Sequence, residues 1–310
     1  MQNFADRQIA AIEKKGTPAC VGLDPRFELI PREIRDYARE SKSPAVQAEC
    51  LFTFSREVLD VVEPHVGVVK PQVAFYERLG VAGLAAYAAT VQTARWKGLI
   101  VIGDVKRGDI GSTAEAYAAS HLKDLEEDEE GGSLTADAIT VNPYLGTDSI
   151  EPFVAMAKEK GRGIYVLVKT SNPSAAEFQD LKVDGTELFV KVAEKVNDWG
   201  RELVGERGYS SVGAVVGATY PEQAARLRKI MPRAYLLVPG YGAQGATAED
   251  VGVCFNDDGL GAVVNSSRGI IYAWTRPPYK EQYGEGRWRE AIEAATKDMI
   301  NELRQVAVAT

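Results

Sequence analysis

The chain has 310 residues, with 36 Lys plus Arg against 44 Asp plus Glu and a formal net charge of −8. That acidity argues against a nucleic-acid-binding or anionic-membrane-binding surface, yet leaves room for a local cationic pocket that takes a phosphate. Two histidines and three scattered cysteines, with no Cys-x-x-Cys pair, argue against a zinc site and a disulfide framework and fit a reducing compartment.

Residues 1–15 carry Phe4, Ile9 and Ile12 near one face of an amphipathic helix, without the apolar core of a signal peptide. Apolar, β-branched runs then predict strands at 19–23, 67–70, 99–105, 138–141, 163–169, 212–217, 235–238 and 261–265. Between them, helical spacing predicts helices at 45–62, 83–96, 150–160, 187–203 and 221–230, with a last helix at 287–306. The acidic run 123–130, followed by Gly131-Gly132, reads as a solvated insertion near 123–133. Arg276-Pro277-Pro278-Tyr279 cannot continue a helix and predicts an ordered loop. Nowhere do 18 apolar residues run together, so no membrane-spanning helix is expected and the cytoplasm is the expected compartment.

Strand alternating with helix is the signature of parallel βαβ units, which build either a doubly wound sheet or a closed (β/α)8 TIM barrel. Polar groups follow nearly every predicted strand: Asp24, Lys70, Asp104 with Lys106, Asn142, Lys169 with Ser171, the glycines after Val238, and Asn265 to Arg268. An open sheet gathers its ligand groups at one switch point, whereas a barrel collects them from all strand ends. The expectation is therefore an α/β protein of one domain, 1–310, folded as a (β/α)8 barrel.

The sharpest feature is Gly103-Asp104-Val105-Lys106-Arg107-Gly108-Asp109, directly after the apolar run 99–102. Residues two apart on a strand share a face, so Asp104 and Lys106 project inward together if Val105 faces the helices. Placing charges there carries a desolvation cost that pairing only partly offsets. The plain structural alternative is an ion pair that closes the strand mouth. The functional one is proton-transfer chemistry, with an ammonium donor tuned by flanking carboxylates.

The pattern Asp104-x-Lys106-x-x-Asp109-Ile110-x-x-Thr113 resembles the signature of the orotidine 5′-phosphate decarboxylases, which make UMP. Further pieces follow in that family's order: Gly22-Leu23-Asp24-Pro25, Val69-Lys70-Pro71-Gln72, Thr170-Ser171-Asn172, Pro239-Gly240-x-Gly242-Ala243-Gln244-Gly245 and Asn265-Ser266-Ser267-Arg268-Gly269-Ile270. Residues 140–146 and the chain's length resemble the longer bacterial branch. The resemblance implies a catalytic network of Lys70, Asp104, Lys106 and Asp109, with Lys106 delivering a proton to C6 after CO₂ departs. It implies ribose contacts from Asp24 and Lys70, a pyrimidine contact from Ser171, and phosphate contacts from Gln244 and Arg268. It also implies a homodimer with shared sites, in which Asp109, Ile110 and Thr113 reach the neighbouring subunit. No cofactor and no metal are implied, and the partner is a nucleotide substrate rather than nucleic acid or membrane.

Several motifs read otherwise. Gly240-x-Gly242-x-x-Gly245 matches a dinucleotide fingerprint only formally, because no acidic residue closes the next strand. Lys169 reads as a structural ion-pair member rather than a Schiff-base lysine, His65 as a solvated or capping residue, and Cys20 and Cys254 as small core residues. Tyr241 either covers a ligand or faces solvent. Two rivals to the decarboxylase stand: a related sugar-phosphate decarboxylase or aldolase of the same barrel type, and a non-catalytic nucleotide-phosphate binder. Ser171-Asn172, Gln244 and Arg268 suit a nucleotide, and a pure binder gains nothing from buried Asp104 and Lys106.

Overall fold

Eight strands close into a parallel barrel in chain order: β1 (Ala19–Leu23), β2 (Val68–Pro71), β3 (Ile100–Arg107), β4 (Ala138–Val141), β5 (Gly163–Lys169), β6 (Ser210–Val216), β7 (Ala234–Val238) and β8 (Ala262–Ser266). β1 joins β2 on one side, pairing Gly22 with Lys70, and β8 on the other, pairing Cys20 with Asn265. The computed structural model describes residues 1–36, 43–125, 133–242 and 245–307. Most of the acidic insertion, together with Ala243 and Gln244, lies outside the described residues.

Alternation along the strands sorts the side chains into two layers. Cys20, Val68, Ile100, Ile102, Ala138, Tyr165, Val215, Leu237 and Val263 fill the barrel interior. Their neighbours Val21, Val69, Val101, Ile139, Val166, Ala214 and Val264 pack outward with the helices. The helix Phe4–Lys15 contributes Phe4, Ile9 and Ile12 to the interior cluster, with Phe4 set edge-on against Tyr165. Asn3 caps that helix through Ala5 N at 2.8 Å. Apolar residues thus occupy the interior away from the C-terminal strand ends, and the inward rows turn polar as they approach those ends: Val68 is followed by Lys70, Ile102 by Asp104, and Ala138 by Thr140.

The predicted strands and observed strands agree to within two residues at every end. β3 runs on to Arg107 through an irregularity between Gly103 and Arg107 that the alternation pattern does not announce. The helix Gly111–Leu122 has no counterpart among the predicted ranges; its small and polar residues show little periodic contrast. The predicted helix 187–203 ends at Gly200 and continues as a 3₁₀ turn, Arg201–Leu203. Before it, Lys182–Val183 and Thr186–Glu187 form a small antiparallel hairpin. The loop expected at Arg276 to Tyr279 has a cis Pro277–Pro278 bond and leads into a short helix, Tyr279–Gln282.

Candidate active site

At the C-terminal end of β3, the Asp104 carboxylate takes four hydrogen bonds. Lys70 Nζ at 2.8 Å and Gln72 Nε2 at 2.9 Å donate to Oδ2, while Lys106 Nζ at 2.5 Å and Thr140 Oγ1 at 2.9 Å donate to Oδ1. Burial by itself would raise the Asp104 pKa, but the Lys70 and Lys106 ammonium groups outweigh it and hold the carboxyl well below the usual range. Burial would likewise discharge Lys70; Asp104 and Asp24 reverse that and keep it firmly protonated.

Lys106 reaches Asp104 in an unexpected way. Plain strand alternation would place the two side by side, yet Lys106 adopts φ +46°, a left-handed conformation uncommon for a side-chain-bearing residue. Its backbone N–H donates to Thr140 Oγ1 at 2.9 Å, so one hydroxyl serves both the strained backbone and the carboxylate. Asp104 and Lys106 meet and both line one cavity, with Val105 packed toward the helices, on a strand that is irregular between Gly103 and Arg107. The Lys106 side chain stays 46% exposed, free to meet a ligand, whereas that of Asp104 is 10% exposed.

A cavity of about 240 Å³ opens beside this cluster, lined by Lys70, Asp104, Lys106, Thr140, Leu167, Thr170, Ser171, Asn172, Val215, Leu237 and Pro239. The Ser171 hydroxyl has no hydrogen-bond partner among the described residues. Asp24 lies at the end of β1; its Oδ1 is buried without a partner among the described residues, and burial raises its pKa against the pull of Lys70. An unsatisfied buried carboxylate oxygen suits a ligand hydroxyl. Gly22 lets β1 approach Ser267 closely: a Cβ there would stand 1.8 Å from Ser267 Oγ and 2.8 Å from Ser267 Cβ, so a side chain would force Ser267 to shift.

The structure thus brings Lys70, Asp104, Lys106 and Ser171 together, with Asp24 close enough to Lys70 to influence it. Asp109, Ile110 and Thr113 do not line this cavity. Among the described residues, Asp109 Oδ1 accepts only from Ile110 N, at 2.8 Å, and Ile110 is 51% exposed. Arg268 stands exposed on the short helix Arg268–Ile271 after β8, with no ion pair among the described residues. Gln244 lies outside the described residues. Asn142, exposed directly after β4, caps the following turn through Tyr144 N and does not line this cavity. Thr140 and Gln72, which sequence reasoning did not assign, complete the cluster; a hydroxyl inside the apolar run of β4 was the available signal. Tyr241 turns away from the cavity, its hydroxyl donating to Glu302 on the helix Trp288–Ala307.

A barrel whose C-terminal mouth gathers two ammonium groups around one carboxylate, beside a cavity with unsatisfied polar groups, has the makings of an enzyme site. Residues 18–277 match the Orotidine 5′-phosphate decarboxylase / HUMPS family. The chain is 47% identical to the orotidine 5′-phosphate decarboxylase of Rhodopirellula baltica, over 98% of this chain and 100% of that one. It is 44% identical to the enzyme of that name from Caldicellulosiruptor saccharolyticus, over 88% and 91%. The structure of Leishmania donovani OMP decarboxylase superposes with a TM-score of 0.75 at 30% identity, covering 99% of each chain. The chain belongs to this family.

Proposed function

We infer that this chain decarboxylates orotidine 5′-phosphate to UMP in pyrimidine biosynthesis, as a single-domain barrel. The observation that carries the reading is Asp104 held between Lys70 and Lys106 at the mouth of a cavity that also presents Ser171. Within the family, the full-length relatives named for this decarboxylase favour it over the sugar-phosphate branch. The cluster itself favours an enzyme over a binder, because fixing two lysines around one buried carboxylate costs desolvation energy that a binder has no reason to spend.

In this reading the C6–carboxylate bond breaks, CO₂ leaves, and the electron pair stays on C6. The Lys106 ammonium, fixed by Asp104, stabilises that carbanion and gives it a proton, leaving a neutral amine that solvent recharges. Asp104 sits beside the departing carboxylate, with Lys70 orienting it. Asp24 and Lys70 receive the ribose hydroxyls, Ser171 the pyrimidine amide, and Gln244 and Arg268 the phosphate. Arginine suits that last task because its planar fork matches phosphate oxygens.

The enzyme works as a homodimer with shared sites. Asp109, Ile110 and Thr113 do not line their own cavity, and Ile110, Tyr117, Tyr144 and Leu145 are 51%, 37%, 80% and 51% exposed, apolar side chains suited to covering by a second copy. We place the enzyme in the cytoplasm, in keeping with three free, buried cysteines. Its partner is the nucleotide, not nucleic acid or membrane. The test is loss of orotidine 5′-phosphate absorbance with one CO₂ released per UMP, measured with a chelator present. Absence of turnover with folded protein contradicts the reading.

A further inference from the structure

Lys169 ends β5, where alternation from Leu167 would turn it into the cavity. Instead the register against β6 slips, pairing Leu167 with Val215 and then Lys169 with Val216. The extra residue turns Lys169 out of the barrel, where its side chain is 1% exposed. Its Nζ lies 2.5 Å from Asp180 Oδ1 and over the rings of Phe189 and Tyr220, at 5.4 and 5.1 Å from their centroids. A Met or Leu would fill such a site without desolvating a charge, so packing alone does not explain the lysine.

What the charge holds is the loop that carries Ser171. Between β5 and the hairpin, the residues after Ser171 form only a 3₁₀ turn, Pro173–Glu177, of which Ala175 alone is buried. A loop with so little core of its own needs ties. Asp180 provides one through Lys169. Gln179 provides another: its side-chain Oε1 accepts from Thr170 N at 2.9 Å, and its Nε2 donates to Thr170 Oγ1 at 2.8 Å. The Lys169 carbonyl accepts from Gly217 N at 2.7 Å, and a Cβ at Gly217 would stand 2.9 Å from Ser171 N. The chain on either side of Thr170-Ser171 is thereby pinned to the end of β6 and to the far end of its own loop.

We propose that Lys169, Gln179 and Asp180 are positioning residues that fix Ser171 for recognition of the pyrimidine, an inference that rests on the assignment of Ser171 to the base. They touch no substrate; they set where the Ser171 hydroxyl stands.

The test compares dissociation constants for UMP and for ribose 5-phosphate, which lacks the base. Ser171→Ala is expected to lower the preference for UMP about three- to tenfold, the worth of one hydrogen bond. Asp180→Asn, Gln179→Ala and Lys169→Met are expected to lower it comparably, leaving ribose 5-phosphate affinity unchanged. Adding Asp180→Asn to Ser171→Ala is expected to lower it no further, since both act through one contact. Asp180→Glu is expected to restore most of the preference. Asp180 and Gln179 are only partly buried, so their variants decide the matter even when Lys169→Met does not fold. If Ser171→Ala lowers the preference and the Asp180 and Gln179 variants do not, the positioning role is refuted. Equal loss of both ligands refutes it as well, because that marks general damage. If Ser171→Ala changes nothing, the assignment of Ser171 fails, and the proposal falls with it.

Discussion

Thr140 Oγ1 accepts the backbone N–H of Lys106 at 2.9 Å, at a residue whose φ of +46° opposes its side chain. A left-handed conformation in a non-glycine residue costs on the order of 1–3 kcal/mol and persists only where its surroundings impose it. Here β4 imposes it, and the same hydroxyl donates to Asp104 Oδ1. Thr140→Val keeps the shape and removes both bonds. Because small displacements of a reacting group are expensive in rate, kcat is expected to fall about 10- to 100-fold with KM changed far less. Steady-state kinetics on the folded variant check this, and an unchanged kcat means the bend does not serve Lys106.

Arg268 is exposed and unpaired among the described residues, which suits a guanidinium kept for an incoming phosphate. Arg268→Ala is expected to lower kcat/KM about 10- to 100-fold, the scale of a lost charge-assisted contact. Added guanidinium is expected to restore part of the activity. Unchanged kinetics mean the phosphate binds elsewhere.

His121 supplies a pH dependence of stability that is separate from catalysis. The ring is buried, its Nδ1 has no partner among the described residues, and desolvation, helped by the Arg107 charge, lowers its pKa from 6.5 to about 4. Below pH 6.5 the unfolded chain takes up a proton there that the folded chain refuses until about pH 4. Stability is therefore lost as pH falls through that window, by at most about 3 kcal/mol, and is unaffected above it. Denaturant unfolding of the parent and of His121→Gln at pH 7.5 and 5 checks this. The difference between the two proteins is expected to shift in favour of the variant at the lower pH, and an equal difference at both pH values contradicts it.

Subunit mixing tests the shared site. Lys106→Ala and Asp109→Ala are each expected to be inactive alone. In a mixed dimer, the site on the Asp109→Ala chain keeps its own Lys106 and receives Asp109 from its partner. Random reassociation of equal amounts makes about half the dimers mixed with one good site of two, so roughly a quarter of parental activity is expected to return. Zero activity, with exchange verified by mass, contradicts an Asp109 donated across the interface.

The sequence made the barrel legible because its inward and outward rows are chemically distinct, down to Lys70 above Val68 and Asp104 above Ile102. Lys70, Asp104, Lys106 and Ser171 were legible for the same reason: each follows an apolar run. Thr140 and Gln72 were not, because their roles depend on how β4 and β2 sit against β3, which no single strand encodes. The irregularities in β3 and β5 are not legible in the sequence because they break the very alternation by which strands are recognised, and Lys106 and Lys169 lie at them.

The account centres on Lys106 giving C6 the proton that replaces CO₂. The most direct measurement is turnover of orotidine 5′-phosphate in D₂O, followed by NMR of the product and by CO₂ release, for the parent and for Lys106→Ala. The account predicts UMP carrying one deuterium at C6 for each CO₂ from the parent. It predicts a rate about 10²–10⁴-fold lower or worse for Lys106→Ala, which still binds UMP. UMP without deuterium at C6, or a Lys106→Ala enzyme within tenfold of the parent kcat, would contradict it.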